Sequence, residues 1–249
     1  MMYQNRQLIV GDVAISYWDE GRGPVLFFVH GWLDSKETFS KIITELKSDF
    51  RCIAVDLPNF GDSQFIDSIV NIDDFAHFLS DFLGKLKIDE YSIVAHSMGG
   101  QISIYSIAKR YIKPRSAVLI ASSGIRNNKS LSKKILKNIS LVVRLFVPER
   151  LKDLFYKKIG SDYNTGLSSV HKKIIKNILR EDILEEAKSI KIPIIFIYGD
   201  KDIHTPARFG RTLADAVDNS ELIIIQDADH WLHKADFFEI SETIRGLKK

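Results

Sequence analysis

Six short runs rich in Val, Ile and Phe, separated by longer segments with helical spacing, set the tightest limit on what this chain can fold into. They are VLFFVH (25–30), CIAVDL (52–57), YSIVAH (91–96), SAVLIA (116–121), IIFIYG (194–199) and LIIIQD (222–227). A strand with one wetted face alternates apolar and polar residues. These runs are almost continuously apolar, which calls for cover on both faces. Strands of that kind alternating with helices predict an α/β fold on a mostly parallel, doubly wound sheet. Ahead of them, QLIVGDVAISYWDEG (7–21) reads as an antiparallel hairpin turning near Gly11 and Asp12, a common edge for such a sheet. Between the second and third runs, Ile72, Phe75, Ala76, Leu79, Phe82, Leu83 and Leu86 fall on one helical face, and Asn71 is placed to cap the first turn.

The alternation stops over residues 125–190, where helical patterns follow one another without a strand. The expected organisation is a core made of 1–124 and 191–249, interrupted by a helical cap at 125–190. A chain of 249 residues suits one domain with such an insertion better than two independent domains. The net charge of +3 is too small to suggest a nucleic-acid partner, but its distribution is uneven. From Arg126 to Ile190 there are fifteen Lys and Arg against seven Asp and Glu, a local charge of +8, which leaves −5 for the remainder. The plain reading is a solvated face; the sharper one is a basic cover that draws in an anionic substrate. Within it, Leu141, Val142, Leu145, Phe146, Phe155 and Tyr156 read first as helix-to-sheet packing and second as the lining of an acyl pocket.

The longest apolar stretch, ISLVVRLFV (139–147), is broken by Arg144 and is about half of what a membrane span needs, so no stable membrane insertion is expected. The first residues carry Asp12 and no unbroken apolar core, as expected of a cytoplasmic protein. The lone cysteine, Cys52, excludes an internal disulfide and a cysteine-based zinc site, and it reads as a small buried hydrophobe.

Chemistry enters at SIVAHSMGGQ (92–101). YSIVAH is a strand and MGGQISIYSIAKRY starts a helix, so Ser97 occupies the corner between them. Ala95 and Gly99 let strand and helix approach closely, and the Met98 amide at the helix start faces the place where a negative oxygen would form. A serine hydroxyl needs a base, and the base needs an orienting carboxylate. YGDKDIHTP, after the fifth run, offers Asp200 and Asp202; DADHWLH, after the sixth, offers His230 and His233. In an open parallel sheet the loops at the carboxyl ends converge, which brings these groups to Ser97 from more than 100 residues away. The first run ends in VHGWLD, where His30 and Gly31 close the strand and the Trp32 amide is a candidate second oxyanion donor.

Taken together, VHGW, DLPNFGDS, AHSMGG, YGDKDIHTP and DADHWLH make the chain resemble the α/β-hydrolase fold family, in particular its compact bacterial serine hydrolases with a helical cap. The resemblance implies Ser97 as nucleophile, His230 as base and Asp202 as acid. It also implies the Trp32 and Met98 amides as oxyanion hole, with His30, Gly31, Ala95 and Gly99 supporting the two loops. It favours Asp202 over Asp200 and His230 over His233, and leaves His233 as a partly buried surface histidine. Two positions depart from the family pattern: Ala95 and Asn59, where glycine is common. The ligand clusters of metal- or cofactor-dependent relatives do not appear, so no metal and no cofactor is expected. The expected activity is hydrolysis of a small ester, thioester or related acyl compound. Carbon–carbon bond hydrolysis, a lyase step with the same three residues, and non-catalytic ligand binding are the alternatives. Ser97 argues against the dehalogenases and epoxide hydrolases of the family, which use aspartate at this corner.

Overall fold

The computed structural model describes residues 3–126 and 167–248. Strands β1 (Arg6–Val10) and β2 (Val13–Gly21) pair antiparallel across a turn at Gly11 and Asp12, with Gly11 at φ +59°, a conformation glycine adopts without steric cost. Six further strands follow: β3 (Val25–Val29), β4 (Arg51–Val55), β5 (Tyr91–His96), β6 (Ala117–Ile120), β7 (Ile194–Gly199) and β8 (Ser220–Ile225). The sheet order is β1-β2-β4-β3-β5-β6-β7-β8; β2 joins β4 antiparallel and every pair beyond it is parallel. The helices are α1 (Ser40–Leu46), α2 (Ile72–Leu86), α3 (Met98–Ala108), α4 (Ser169–Ile178), α5 (Leu184–Ala187), α6 (Ala207–Ala216), α7 (Leu232–Ala235) and α8 (Phe237–Arg245).

The near-continuous apolarity of the inner strands has the expected cause. Phe27 and Val29 of β3 face one buried cluster with Phe75, Leu79 and Phe82 of α2 and Ile102 of α3. The alternate residues Leu26 and Phe28 face a second cluster with Ile42, Ile43 and Leu46 of α1 and Ile240 and Ile244 of α8. Helix α2 begins where its sequence places it. The Asn71 side chain accepts the Asp74 amide at 2.9 Å and the Asp74 carboxylate accepts the Asn71 amide at 3.0 Å, a reciprocal cap. Cys52 is fully buried and burial pushes its thiol up to about 12, so it acts as a small hydrophobe.

Two expectations change. The last strand starts two residues earlier than the apolar run, because Ser220 and Glu221 pair with Ile194 and Ile195 at a half-exposed edge where polar residues fit. His233 is fully buried rather than near the surface, since α7 tucks it under His96 and Phe39. Most of the expected cap at 125–190, with Leu141, Val142, Leu145, Phe146, Phe155 and Tyr156, lies outside the described residues. Residues 167–190 hold α4 and α5 and no strand, and Ile174 and Ile178 of α4 join the α3-side core. No helix among the described residues is long and apolar enough to cross a membrane.

Candidate active site

The carboxyl ends of β3, β5, β7 and β8 carry the groups singled out in the sequence, and the parallel arrangement brings them together. Ser97 sits between β5 and α3 at φ +51° and ψ −115°, outside the regions a side chain ordinarily allows, a strain on the order of 1–3 kcal/mol that the packing around it must hold. Its side chain caps no helix. Close packing holds the corner: a Cβ on Gly99 would lie 2.3 Å from the Val29 carbonyl oxygen and 2.5 Å from that of His30. Ala95 is fully buried between Val29 and Leu119, and its methyl is accommodated where a glycine is common.

Ser97 Oγ lies 3.0 Å from His230 Nε2, and His230 Nδ1 lies 2.7 Å from Asp202 Oδ2. The carboxylate can only accept, so Nδ1 carries the imidazole proton and Nε2 faces the serine with its lone pair. Asp202 is held by more than His230. Its Oδ1 accepts the amides of His204 at 2.7 Å and Thr205 at 2.8 Å, and its Oδ2 accepts the Thr205 hydroxyl at 2.7 Å. Burial alone would raise the Asp202 carboxyl, but the bonds from His230 and Thr205 outweigh it and keep it below the usual carboxylate range. Asp200 is exposed, and His233 places its Nε2 on Thr38 Oγ1 instead.

Both segments singled out for an oxyanion lie next to the Ser97 corner. Met98 opens α3, so its amide has no acceptor within the helix. Gly31 lies against the corner, where a Cβ would come 3.1 Å from Ser97 Cβ, and Trp32 follows it directly. His30 pins this loop from below: its Nδ1 donates to the Gly31 carbonyl oxygen at 2.8 Å and its Nε2 accepts the Leu57 amide at 3.0 Å. Burial keeps His30 below its ordinary range, in the neutral form that this pair of bonds requires.

Sequence reasoning left four features unassigned. Asn59, the second departure, has φ +75°, a conformation asparagine tolerates, and its side chain bonds the Ile66 amide and the Ile69 carbonyl. His171 of α4 donates to the Asn59 carbonyl at 2.9 Å and packs against Trp32 and Phe60, forming an aromatic wall beside the loop. Thr205 was readable in DIHTP as a neighbour of Asp202 but had no marked role. Lys36 was invisible: its ammonium is fully buried, 2.6 Å from Asp56 Oδ2 and 3.0 Å from Asp62 Oδ2.

With this geometry in place, comparison with known proteins defines the class. The family model described as the alpha/beta hydrolase fold matches residues 24–183, and the chain belongs to that family; it is an enzyme with hydrolase activity. It is 25% identical to YisY, an AB hydrolase superfamily protein of Bacillus subtilis, over 94% of each chain. It is 23% identical to a pimeloyl-[acyl-carrier protein] methyl ester esterase of Neisseria meningitidis, over 89% of this chain and 90% of that one. Among solved structures, the enol-lactonase of Burkholderia xenovorans superposes with a TM-score of 0.78 at 17% identity, covering 98% of this chain and all of the other.

Proposed function

We propose that the protein is a carboxylesterase-like serine hydrolase of small ester, thioester or related acyl substrates, with Ser97 as nucleophile, His230 as general base and Asp202 as its orienting acid. The observation that carries this is the continuous chain from Ser97 Oγ through His230 to Asp202, with steps of 3.0 and 2.7 Å. His230 Nε2 takes the hydroxyl proton as Ser97 Oγ attacks the carbonyl carbon, and the imidazolium that results sits against a carboxylate held ionised. The amides of Trp32 and Met98 receive the oxyanion. In reactions of this kind one such donor is worth about 10²–10³ in rate. His230 then protonates the leaving group, and water repeats the sequence in reverse to free the acyl group from Ser97. Two named relatives, a methyl ester esterase and an enol-lactonase, act on ester bonds, in keeping with this substrate class.

The test is a panel of chromogenic esters with wild-type protein and Ser97→Ala, alongside labelling by a fluorophosphonate. Wild type should turn over short-chain esters and take the label on Ser97, and Ser97→Ala should lose about 10⁶ in kcat. Retained esterase activity in a folded Ser97→Ala protein would overturn the assignment.

A further inference from the structure

Behind Ser97 and His230 lies a second group of polar side chains, two buried and one half-buried, that the proposed reaction does not use. Asp34 comes from the loop after β3, His96 ends β5, and His233 lies in α7. One ligating atom from each lies within 4.8 Å of the other two. His96 Nε2 is 2.9 Å from the His230 carbonyl oxygen, which can only accept, so the His96 proton is on Nε2 and Nδ1 is bare. His233 Nε2 is 2.6 Å from Thr38 Oγ1, and with that hydroxyl accepting, His233 Nδ1 is bare as well. Asp34 Oδ1 accepts the Ser35 amide at 3.0 Å. What remains is His96 Nδ1, His233 Nδ1 and Asp34 Oδ2, all buried and none with a hydrogen-bond partner among the described residues.

With His233 in that tautomer, three electron-pair donors converge with only the Lys234 ammonium beside Asp34 to meet them among the described residues, an arrangement that a bound cation satisfies more closely. Two imidazole nitrogens and a carboxylate oxygen suit a first-row divalent metal such as zinc. Each imidazole has its other nitrogen on an oxygen partner, as metal-bound histidines ordinarily do. Gly31 packs against the same ring, and only the lack of a side chain keeps the space beside His96 Nδ1 unfilled, since a Cβ there would sit 2.9 Å from it.

We propose that Asp34, His96 and His233 form a binding site for a divalent transition-metal ion of the zinc type. Ligands in a tetrahedral zinc site stand about 3.3 Å apart, so the three ligating atoms, within 4.8 Å of one another, draw together by as much as about 1.5 Å around the ion, with water as the fourth ligand. Lys234, whose ammonium is 3.5 Å from Asp34 Oδ2, swings outward over the exposed face of Trp231, against which it already lies at 4.4 Å. The ion is structural. It ties together the loop carrying Trp32, the strand end carrying Ser97 and the segment carrying His230, and its binding does not depend on the reaction assigned to them.

The experiment uses tag-free full-length protein, stripped with a chelator and titrated with Zn²⁺ by calorimetry near neutral pH, with thermal unfolding followed in parallel. One equivalent should bind with a dissociation constant of about 10 μM or tighter and raise the unfolding temperature. Asp34→Asn, which keeps the shape of the loop residue, and His233→Gln should each weaken binding at least tenfold. Exposed-histidine control His77→Asn should leave binding unchanged. If His233→Gln does not fold, Asp34→Asn decides alone. No binding to the folded wild type, or binding that Asp34→Asn leaves intact, would overturn the site.

Discussion

Replacing Lys36 by methionine should be one of the most destabilising single changes outside the hydrophobic clusters. The Lys36 ammonium and the Asp56 carboxylate are both fully buried at 2.6 Å, and burial's tendency to neutralise the amine is outweighed by Asp56 and Asp62, which hold it above its ordinary range. Removing one partner of a buried ion pair costs about 3–5 kcal/mol because the other charge is left in a low-dielectric interior. Here the remaining carboxylate keeps two donors, the Lys36 amide at 2.7 Å and the Asp62 amide at 2.9 Å, so the cost should fall at the lower end, about 3 kcal/mol. For a chain of this size that lowers Tm by about 6–12 °C. Lys36→Met/Asp56→Asn removes both charges and should cost about 2 kcal/mol less than the sum of the single changes. Urea unfolding of the four proteins of this cycle measures each quantity. The pair's contribution is complete below the unfolded lysine value and is lost only as pH rises through the still higher folded value, so the difference between wild type and Lys36→Met should be flat from about pH 6 to 9. Lys36 also anchors the segment that follows Trp32, and a small displacement of the amide proposed here as an oxyanion donor would cost up to about 10² in rate; on that proposal kcat should fall with KM little changed. A loss of less than about 1 kcal/mol in Lys36→Met, or strict additivity in the cycle, would refute the reasoning.

Asp202→Asn should leave the fold intact and lower kcat by about 10⁴, because an amide in that position no longer fixes the imidazole proton on Nδ1; stopped-assay kinetics on a chromogenic ester would register it. Since the Asp202 carboxyl is held below its usual value, its contribution to stability is present above the unfolded value near 3.8 and lost as pH falls through the lower folded one, and acid unfolding of Asp202→Asn should lack that part of the transition. Gly99→Ala should give no soluble folded protein on expression, since its Cβ would stand 2.3 Å from a backbone oxygen of the central strand, which has no room to retreat. If the basic segment from Arg126 to Ile190 faces the cleft, hydrolysis of a carboxylated ester should slow as salt rises while that of a neutral ester holds steady; equal salt responses would make the +8 a solvated face.

How much of this was legible in the sequence follows from how each signal is carried. Apolar burial repeats along an element, so several residues report the same fact: seven positions announced α2, and Asn71 marked its start. Strand runs announced the layers for the same reason, and the order of the five loop motifs then ordered the site, because a parallel sheet sends its carboxyl ends to one edge. Where the repeat weakens, so does the reading, and β8 shifted because an edge strand admits Ser220 and Glu221.

Buried polar residues carry no such repetition. Lys36, in LDSKET, has the composition of a wetted turn; it is buried only because Asp56 and Asp62, 20 and 26 residues further on, come back to meet it. His233 reads as a partly buried surface histidine until His96 and Phe39 are found packed against it. A polar side chain enters the interior when specific partners meet its charge or its lone pairs, and those partners are fixed by loop paths that no local pattern encodes. Ser97, Asp202 and His230 escaped this limit because each sits in a motif whose neighbours are constrained by backbone geometry, as Gly99 is by β3. Asp34, His96 and His233 lie within VHGWLD, AHSMGG and DADHWLH, but nothing in those stretches marks them as facing one another. Their convergence comes from the path of the loop after β3 meeting the β5 end that carries Ser97 and the segment that carries His230, and it becomes visible only when the two ring nitrogens and the Asp34 carboxylate oxygen are found close together.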